Sequence, residues 1–238
     1  MTYVFADSRS TGALAAQIPR FAGILQVDGY GAYKALARRP RQDLRLAFGF
    51  AHARRRFVAA HKLTGSAFAM QVIERLAEVY AIEARIRGRS APKRRAVRQA
   101  EIKPILEALR AQLVAHGSSL SRQSSLAKAI AYTLDHWDGL TRFLDDGRIE
   151  IDPNLLERQI RPIALGRKNA LFAGSRGGGR TWAILASLIN TAKLNRVDPA
   201  VYLGDVLAHM VSGATPINRI TEQLVWNWKA ARASAAPG

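Results

Sequence analysis

From Ser66 to Leu144 the apolar residues recur at helical spacing, with Val72, Leu76, Val79 and Ile86 on one stripe and Ile102, Ile105, Leu109 and Leu113 on another. No internal repeat makes this stretch a solenoid, so each stripe must be buried against neighbouring helices. The residues before it have a different period. Gly23-Ile24-Leu25-Gln26-Val27 is an apolar run closed by Asp28-Gly29, the pattern of a buried strand that ends on a carboxylate. Leu44, Leu46, Phe48 and Phe50 alternate with Arg45, Ala47 and Gly49 as a second strand, after which His52-Ala53-Arg54-Arg55-Arg56-Phe57 opens a basic helix. Tyr3 to Phe5 is strand-like, and Ala13 to Ile18 suits one or two helical turns. The expected class is α/β, a sheet with flanking helices interrupted by an all-α insertion.

Local signals mark the joints. Ser90, ahead of Ala91-Pro92, can cap a new helix, and Ser118 to Ser125 is a Ser-rich break. The turn Asp145-Asp146-Gly147 leads through Ile149-Glu150-Ile151 to Asp152-Pro153, an N-cap followed by proline at the first helical position. On the helix that starts there, Leu156, Ile160 and Ile163 face the core while Glu157 and Arg161 share an adjacent face. Asn169 to Ala173 suits a short strand, Gly174 to Gly179 a flexible loop, and Thr181 to Leu194 an apolar helix. Asp198-Pro199 begins another capped helix ending near Gly213, and Ile217 to Trp228 is expected to pack Trp226 and Trp228 on the domain.

Lys and Arg outnumber Asp and Glu by 36 to 18, a formal charge of +18, with no like-charge run long enough to form a basic tail. Positive charge spread over folded segments favours a polyanion, nucleic acid first, because each cation set against a phosphate releases a counterion. A GC-rich genome would account for the arginine content but not for motifs. Cysteine is absent, which excludes disulfides, thiolate metal sites and cysteine nucleophiles. No basic-then-apolar leader opens the sequence and no run of ~18 apolar residues occurs, so a cytoplasmic, nucleoid-associated protein is expected.

Cleaving and joining phosphodiesters takes hard cations bridged by carboxylates, which activate the attacking oxygen and stabilise the leaving one. Asp28 at a strand end and Glu157 on a helix suit two of the three carboxylate positions of a ribonuclease-H-like site. Alone, a strand-ending Asp before Gly is more often a turn residue and a helical Glu more often a solvated surface group. Asp135, Asp138, Asp145 and Asp146 read as caps and turn residues.

The surrounding text is more specific. Gly23 to Tyr33 (GILQVDGYGAY), Ala51 to Phe57 (AHARRRF), Trp137 to Gly147 (WDGLTRFLDDG), Asn154 to Pro162 (NLLERQIRP), Gly166 to Asn169 and Leu171 to Ser175 occur in the order of the insertion-sequence-66 transposases, which the chain resembles nearly end to end. Ser187 to Asn195 and Val197 to Leu203 resemble that family's C-terminal extension. Gly49-Phe50 stands where the family often has Cys-Trp, and Asp152-Pro153-Asn154 where Asp-Asn-Asn is commoner; neither removes an expected carboxylate.

The resemblance implies a DDE-type transposase of a bacterial insertion sequence, cutting and joining DNA with Mg²⁺ or Mn²⁺ held by Asp28 and Glu157, the second Asp and the Glu of the triad. The first Asp would lie upstream of this chain, which is then an N-terminally truncated C-terminal portion. Asp7 is the nearby acid that offers a substitute, although it matches a loop after a later strand. The implied chain is crippled on its own, and the alternative is a catalytically inactive DNA-binding remnant. Arg54, Arg55, Arg56, Arg158, Arg161, Arg167 and Lys168 are the candidate DNA contacts and His52 a possible auxiliary group. The implied organisation is a partial ribonuclease-H-like core with a mixed sheet (1–60), a helical insertion (61–147), the rest of the core with the Glu helix (148–190), a helical C-terminal extension (191–232) and a disordered tail (233–238). The implied partners are the element ends, target DNA and further copies of the chain.

Overall fold

The computed structural model describes residues 2–8, 10–19, 21–39, 43–153 and 175–235. The chain divides into two compact units, one formed by residues 9–156 and one by residues 1–8 together with 157–238. The Glu157 helix and the expected strand at Asn169 to Ala173 lie outside the described residues. Among the described residues no helix is long and apolar enough to cross a membrane.

In the first unit α1 (Thr11–Gln17) leads to β1 (Gly23–Val27), α2 (Gly31–Ala37) and β2 (Leu44–Phe48). The strands pair in parallel, Gly23 opposite Leu44 through Val27 opposite Phe48. Parallel neighbours need a crossover, and the short α2 supplies it. Val27, Leu36, Leu44 and Leu46 form their own small core, with Leu14, Ile18 and Tyr33 packed against it. Among the described residues the protein is thus a mostly helical α/β structure whose sheet is a parallel pair rather than a mixed sheet.

Helices follow as expected: α3 (Phe50–Thr64), α4 (Ala67–Arg85), α5 (Ala91–Val97), a π-helical turn (Arg98–Ile102), α6 (Lys103–Gly117), α7 (Ser125–Asp135) and α8 (Trp137–Thr141), closed by a 3₁₀ turn (Arg142–Leu144). Phe50, the expected end of the second strand, instead begins α3. Val72, Leu76 and Val79 of the first stripe and Ile102, Leu109 and Leu113 of the second are buried in one core with Phe50, Phe57, Ile130 and Phe143; Ile86 is buried outside that cluster, and Leu106 takes the inner position beside a half-buried Ile105. Pro104 gives the π turn a local reason: it lacks the N–H that would bond the carbonyl four residues back. Ser90 occupies the N-cap of α5 but makes no side-chain cap bond. Two glycines let backbones approach closely: a Cβ on Gly139 would lie 2.3 Å from the Phe48 ring, and one on Gly147 would lie 1.9 Å from the Ala91 carbonyl oxygen.

The widened turn carries Arg98 inward to 0% exposure. Its Nε and Nη2 donate to the two Glu83 carboxylate oxygens at 2.7 and 2.9 Å, and its Nη1 donates to the carbonyls of Phe143 and Asp146. Gln99 adds a bond to the Leu144 carbonyl. Together these tie α4 and the π turn to the segment that returns the chain toward Asp152.

In the second unit α9 (Arg176–Leu194) and α10 (Pro199–Val211) precede a 3₁₀ segment (Ile217–Gln223) and α11 (Val225–Ala235), which reaches into the expected tail. Gly177, Gly178 and Gly179, expected to form a loop, lie in the first turn of α9: Ser175 caps it by accepting from the Gly178 amide at 3.0 Å, and Gly179 leaves room for the Phe5 ring. Tyr3 to Phe5 is not a strand, and the Tyr3 amide donates to the Ser187 hydroxyl at 2.8 Å. Asp198 caps α10 as expected, accepting from the amides of Ala200 and Val201. Trp228 packs on Tyr202 and donates its indole N–H to Asp205, whereas Trp226 is 53% exposed instead of packed.

Removing one partner of a buried ion pair strands the other charge, so Glu83→Ala is expected to cost about 3–5 kcal/mol. Glu78→Ala, which removes the exposed Arg75 pair at 3.0 Å, should cost about 0–1 kcal/mol. Urea unfolding of both variants checks this, and equal costs would contradict the assignment of Arg98 as the clamp.

Candidate active site around Asp28

Strand β1 delivers Asp28 to its C-terminal end, and Gly29 turns the chain there with φ 84°, a conformation that suits glycine. The carboxylate is exposed, and its Oδ1 accepts from the Tyr30 amide at 3.1 Å, which holds it at the mouth of the turn. A strand-end acid fixed by its own turn and open to solvent can present an oxygen to a ligand without first being desolvated.

Side chains from three helices gather beside it. Helix α7 brings Tyr132 and His136, one turn apart, and their rings stack with centroids 4.2 Å apart. The Tyr132 hydroxyl and the His136 Nε2 lie 3.3 and 4.0 Å from where a Cβ on Gly29 would sit. Burial raises the pKa of the Tyr132 phenol, Arg56 opposes that rise, and the Asp28 charge adds to it. Tyr33 on α2 is likewise raised by burial and then by Asp28. The Arg56 guanidinium lies over the Tyr132 ring at 4.0 Å, a cation–π contact that turns its charge toward this cluster.

His136, 6% exposed, has both ring nitrogens engaged. Nδ1 meets the Tyr132 carbonyl at 2.6 Å and Nε2 meets the Lys34 ammonium of α2. A carbonyl can only accept and an ammonium can only donate, which fits a neutral imidazole carrying its proton on Nδ1. Burial lowers the His136 pKa first; the Tyr132 carbonyl works against that, while the Lys34 charge adds to it.

The three arginines of α3 divide. Each step around a helix is ~100°, so three consecutive residues cannot all share one face. Arg56 goes to Tyr132, whereas Arg54 and Arg55 line a separate cavity of about 470 Å³ with Val58, Ala77 and Tyr80. His52 sits half-buried in the first turn of α3. That helix is capped from a distance: Asp152 accepts from the Ala51 amide at 2.7 Å and from the Tyr80 hydroxyl at 2.6 Å. Asp7 pairs with Arg176 at 3.1 Å within its own unit. Glu157, Arg158, Arg161, Arg167 and Lys168 lie outside the described residues. Among the described residues no group of three or more His, Asp or Glu side chains could hold a metal ion.

Tyr132, His136 and Lys34 are the neighbours of Asp28 that sequence reading missed. Their signal was present, in the Tyr-Gly-Ala-Tyr-Lys run after Asp28-Gly29 and in the i, i+4 pair just before Trp137, but only the fold joins them.

Residues 1–181 match the family described as "Transposase IS66 family", and residues 187–226 match the "IS66 C-terminal element". The chain belongs to the IS66 transposase family. It is 52% identical over 232 residues to a Sinorhizobium fredii (strain NBRC 101917 / NGR234) protein named "Uncharacterized protein y4jD", covering 96% of this chain and 45% of that one. From the same organism, "Uncharacterized protein y4qI" is 40% identical over 96% of this chain and 43% of its own length, and "Uncharacterized protein y4hP" is 37% identical over 91% and 41%. The chain therefore spans a little under half the length of these curated relatives. No solved structure matches it.

For this IS66 chain the His136 environment sets a pH dependence. A histidine whose folded pKa is depressed below its ordinary 6.5 leaves the unfolded chain binding more protons in that window, so stability is present above 6.5 and is lost as pH falls through the folded value. The urea midpoint should drop between about pH 7.5 and about pH 5.5, and His136→Gln should flatten that drop. An unchanged slope in the variant would show that His136 is not the group responsible.

Proposed function

We propose that this chain contributes two carboxylates, Asp28 and Glu157, to a ribonuclease-H-like DDE site that cleaves DNA at the ends of an insertion sequence and joins the freed 3′-hydroxyl to target DNA. The observation that carries the reading is the position of Asp28: exposed at the C-terminal end of a parallel strand, with the Lys34 and Arg56 charges gathered beside it, in a chain of the IS66 family. A carboxylate in that place suits a divalent cation, and the cations around it suit the phosphates of the substrate.

When bound, Mg²⁺ or Mn²⁺ would supply the charge that activates an attacking oxygen and stabilises the leaving one. The chain's own residues supply the rest. Asp28 and Glu157 hold the cation; Arg56, steadied on the Tyr132 ring, neutralises charge on the transferred phosphoryl group. Arg54, Arg55, Arg158, Arg161, Arg167 and Lys168 hold DNA phosphates along the flanks, and His52 takes an auxiliary place. DNA is the proposed partner, bound by more than one copy of the chain in the cytoplasm at the nucleoid.

If the purified protein nicks DNA in Mg²⁺ or Mn²⁺ despite lacking the first Asp of the triad, Asp28→Ala or Glu157→Ala should abolish nicking while leaving DNA affinity within about twofold, since removing an acid only lessens repulsion. Binding without nicking in the parent chain would support the inactive DNA-binding reading instead. Nicking that survives both substitutions would overturn the assignment of these carboxylates.

A further inference from the structure

The first unit has a cavity of about 650 Å³ that shares Lys34 and His136 with the cluster beside Asp28. Lys34 and Arg38 line it from α2, Arg110 from α6, and Arg142 from the 3₁₀ turn after α8. Phe48, Trp137 and Gly139 complete the wall on the β2 and α8 side. The lining holds four Lys and Arg against two acids, Asp135 and Asp138, an excess of two positive charges before His136 is counted.

Several other cations of the same unit are paired within it. Arg94 and Arg98 are neutralised by Glu83 and Glu150, and Arg148 by Asp146. Among the described residues none of Lys34, Arg38, Arg110 and Arg142 forms an ion pair with a carboxylate. Arg142 donates its Nε to the Leu46 carbonyl at 3.0 Å, which fixes the guanidinium stem on β2, and Lys34 is held against His136. Arg38 and Arg110 are exposed at the rim, so the cavity opens to solvent. It is a cleft of the size that takes ligands, about 300–1,000 Å³, with an excess of positive charge that no ion pair among the described residues balances.

We propose that this cleft binds the phosphodiester backbone of a DNA strand and leads it to Asp28. The inference rests on the transposase reading and extends it to residues outside the arginine-rich motifs. Guanidinium forks hold phosphate oxygens bidentately, and cations contributed by separate helices can follow a strand rather than a single small anion. Continuity with the reacting end comes from His136, which lines the cleft and lies 4.0 Å from the position of a Cβ on Gly29. Residues of strand β2 and of the end of helix α7 thus line the same track.

The test measures binding of the 238-residue chain to fluorescein-labelled DNA by anisotropy, in EDTA so that no cleavage occurs, over a range of NaCl concentrations. Arg38→Gln/Arg110→Gln should bind about tenfold more weakly, and the slope of log affinity against log salt should fall by roughly one to two. Arg87→Gln/Arg89→Gln removes equal charge from exposed residues outside the cleft and should change affinity by less than about twofold, with circular dichroism confirming that both variants fold. Equal weakening in the two variants, or none in the first, would overturn the cleft as a DNA track while leaving Asp28-dependent nicking intact. Failure of the parent chain to bind DNA at all would instead overturn the transposase reading and this inference with it.

Discussion

A guanidinium with no exposure must be neutralised where it stands, and much of the first unit is arranged around Arg98. Its fork closes on Glu83 of α4 while its remaining nitrogen takes the carbonyls of Phe143 and Asp146. Those bonds fasten the end of the helical stretch to its middle, and so fix the course of the segment that follows. That segment carries Asp152 to the first turn of α3, where its carboxylate satisfies an amide that the helix itself leaves unpaired. With α3 set and packed against α7, Tyr132 and His136 arrive beside the Asp28-Gly29 turn. The helical insertion is then part of the candidate site and not an ornament on it.

The same unit sorts its positive charges in two ways. Where an arginine is buried, a carboxylate accompanies it, because an unpaired charge in the interior would cost several kcal/mol. Around Asp28 and along the neighbouring cleft the cations are steadied by aromatic rings, an imidazole and a backbone carbonyl. None of these cancels a charge. Arg56, Lys34 and Arg142 are held in place yet keep their attraction for an anion, the preorganisation that the proposed DNA substrate would call on.

Much of this was legible in the sequence where the signal was local. The strand ending in Asp28, the strand at Leu44, the two apolar stripes and the Asp198-Pro199 cap each rest on a few adjacent residues, and each is present. The misreadings are places where a distant residue decides. Glycines 177 to 179 have the freedom of a loop, but Ser175 caps them into a helix and Phe5 needs the space beside Gly179. Tyr3 to Phe5 has strand composition, but its Tyr3 amide is taken by the Ser187 hydroxyl rather than by a neighbouring strand. Asp152 reads as the cap of the helix that follows it in sequence, which lies outside the described residues, and among the described residues its carboxylate serves α3, far upstream. Of the candidate site, Asp28 was legible from its strand, whereas Lys34, Tyr132 and His136 become its neighbours only through the packing of α2 and α7.

The central claim is that Asp28 shares a divalent cation with Glu157, and binding of Mn²⁺ read by electron paramagnetic resonance tests it without requiring turnover. The account predicts that the parent chain takes up Mn²⁺ at a site lost in Asp28→Asn and lost equally in Glu157→Gln. Mn²⁺ uptake unchanged by either substitution would contradict it.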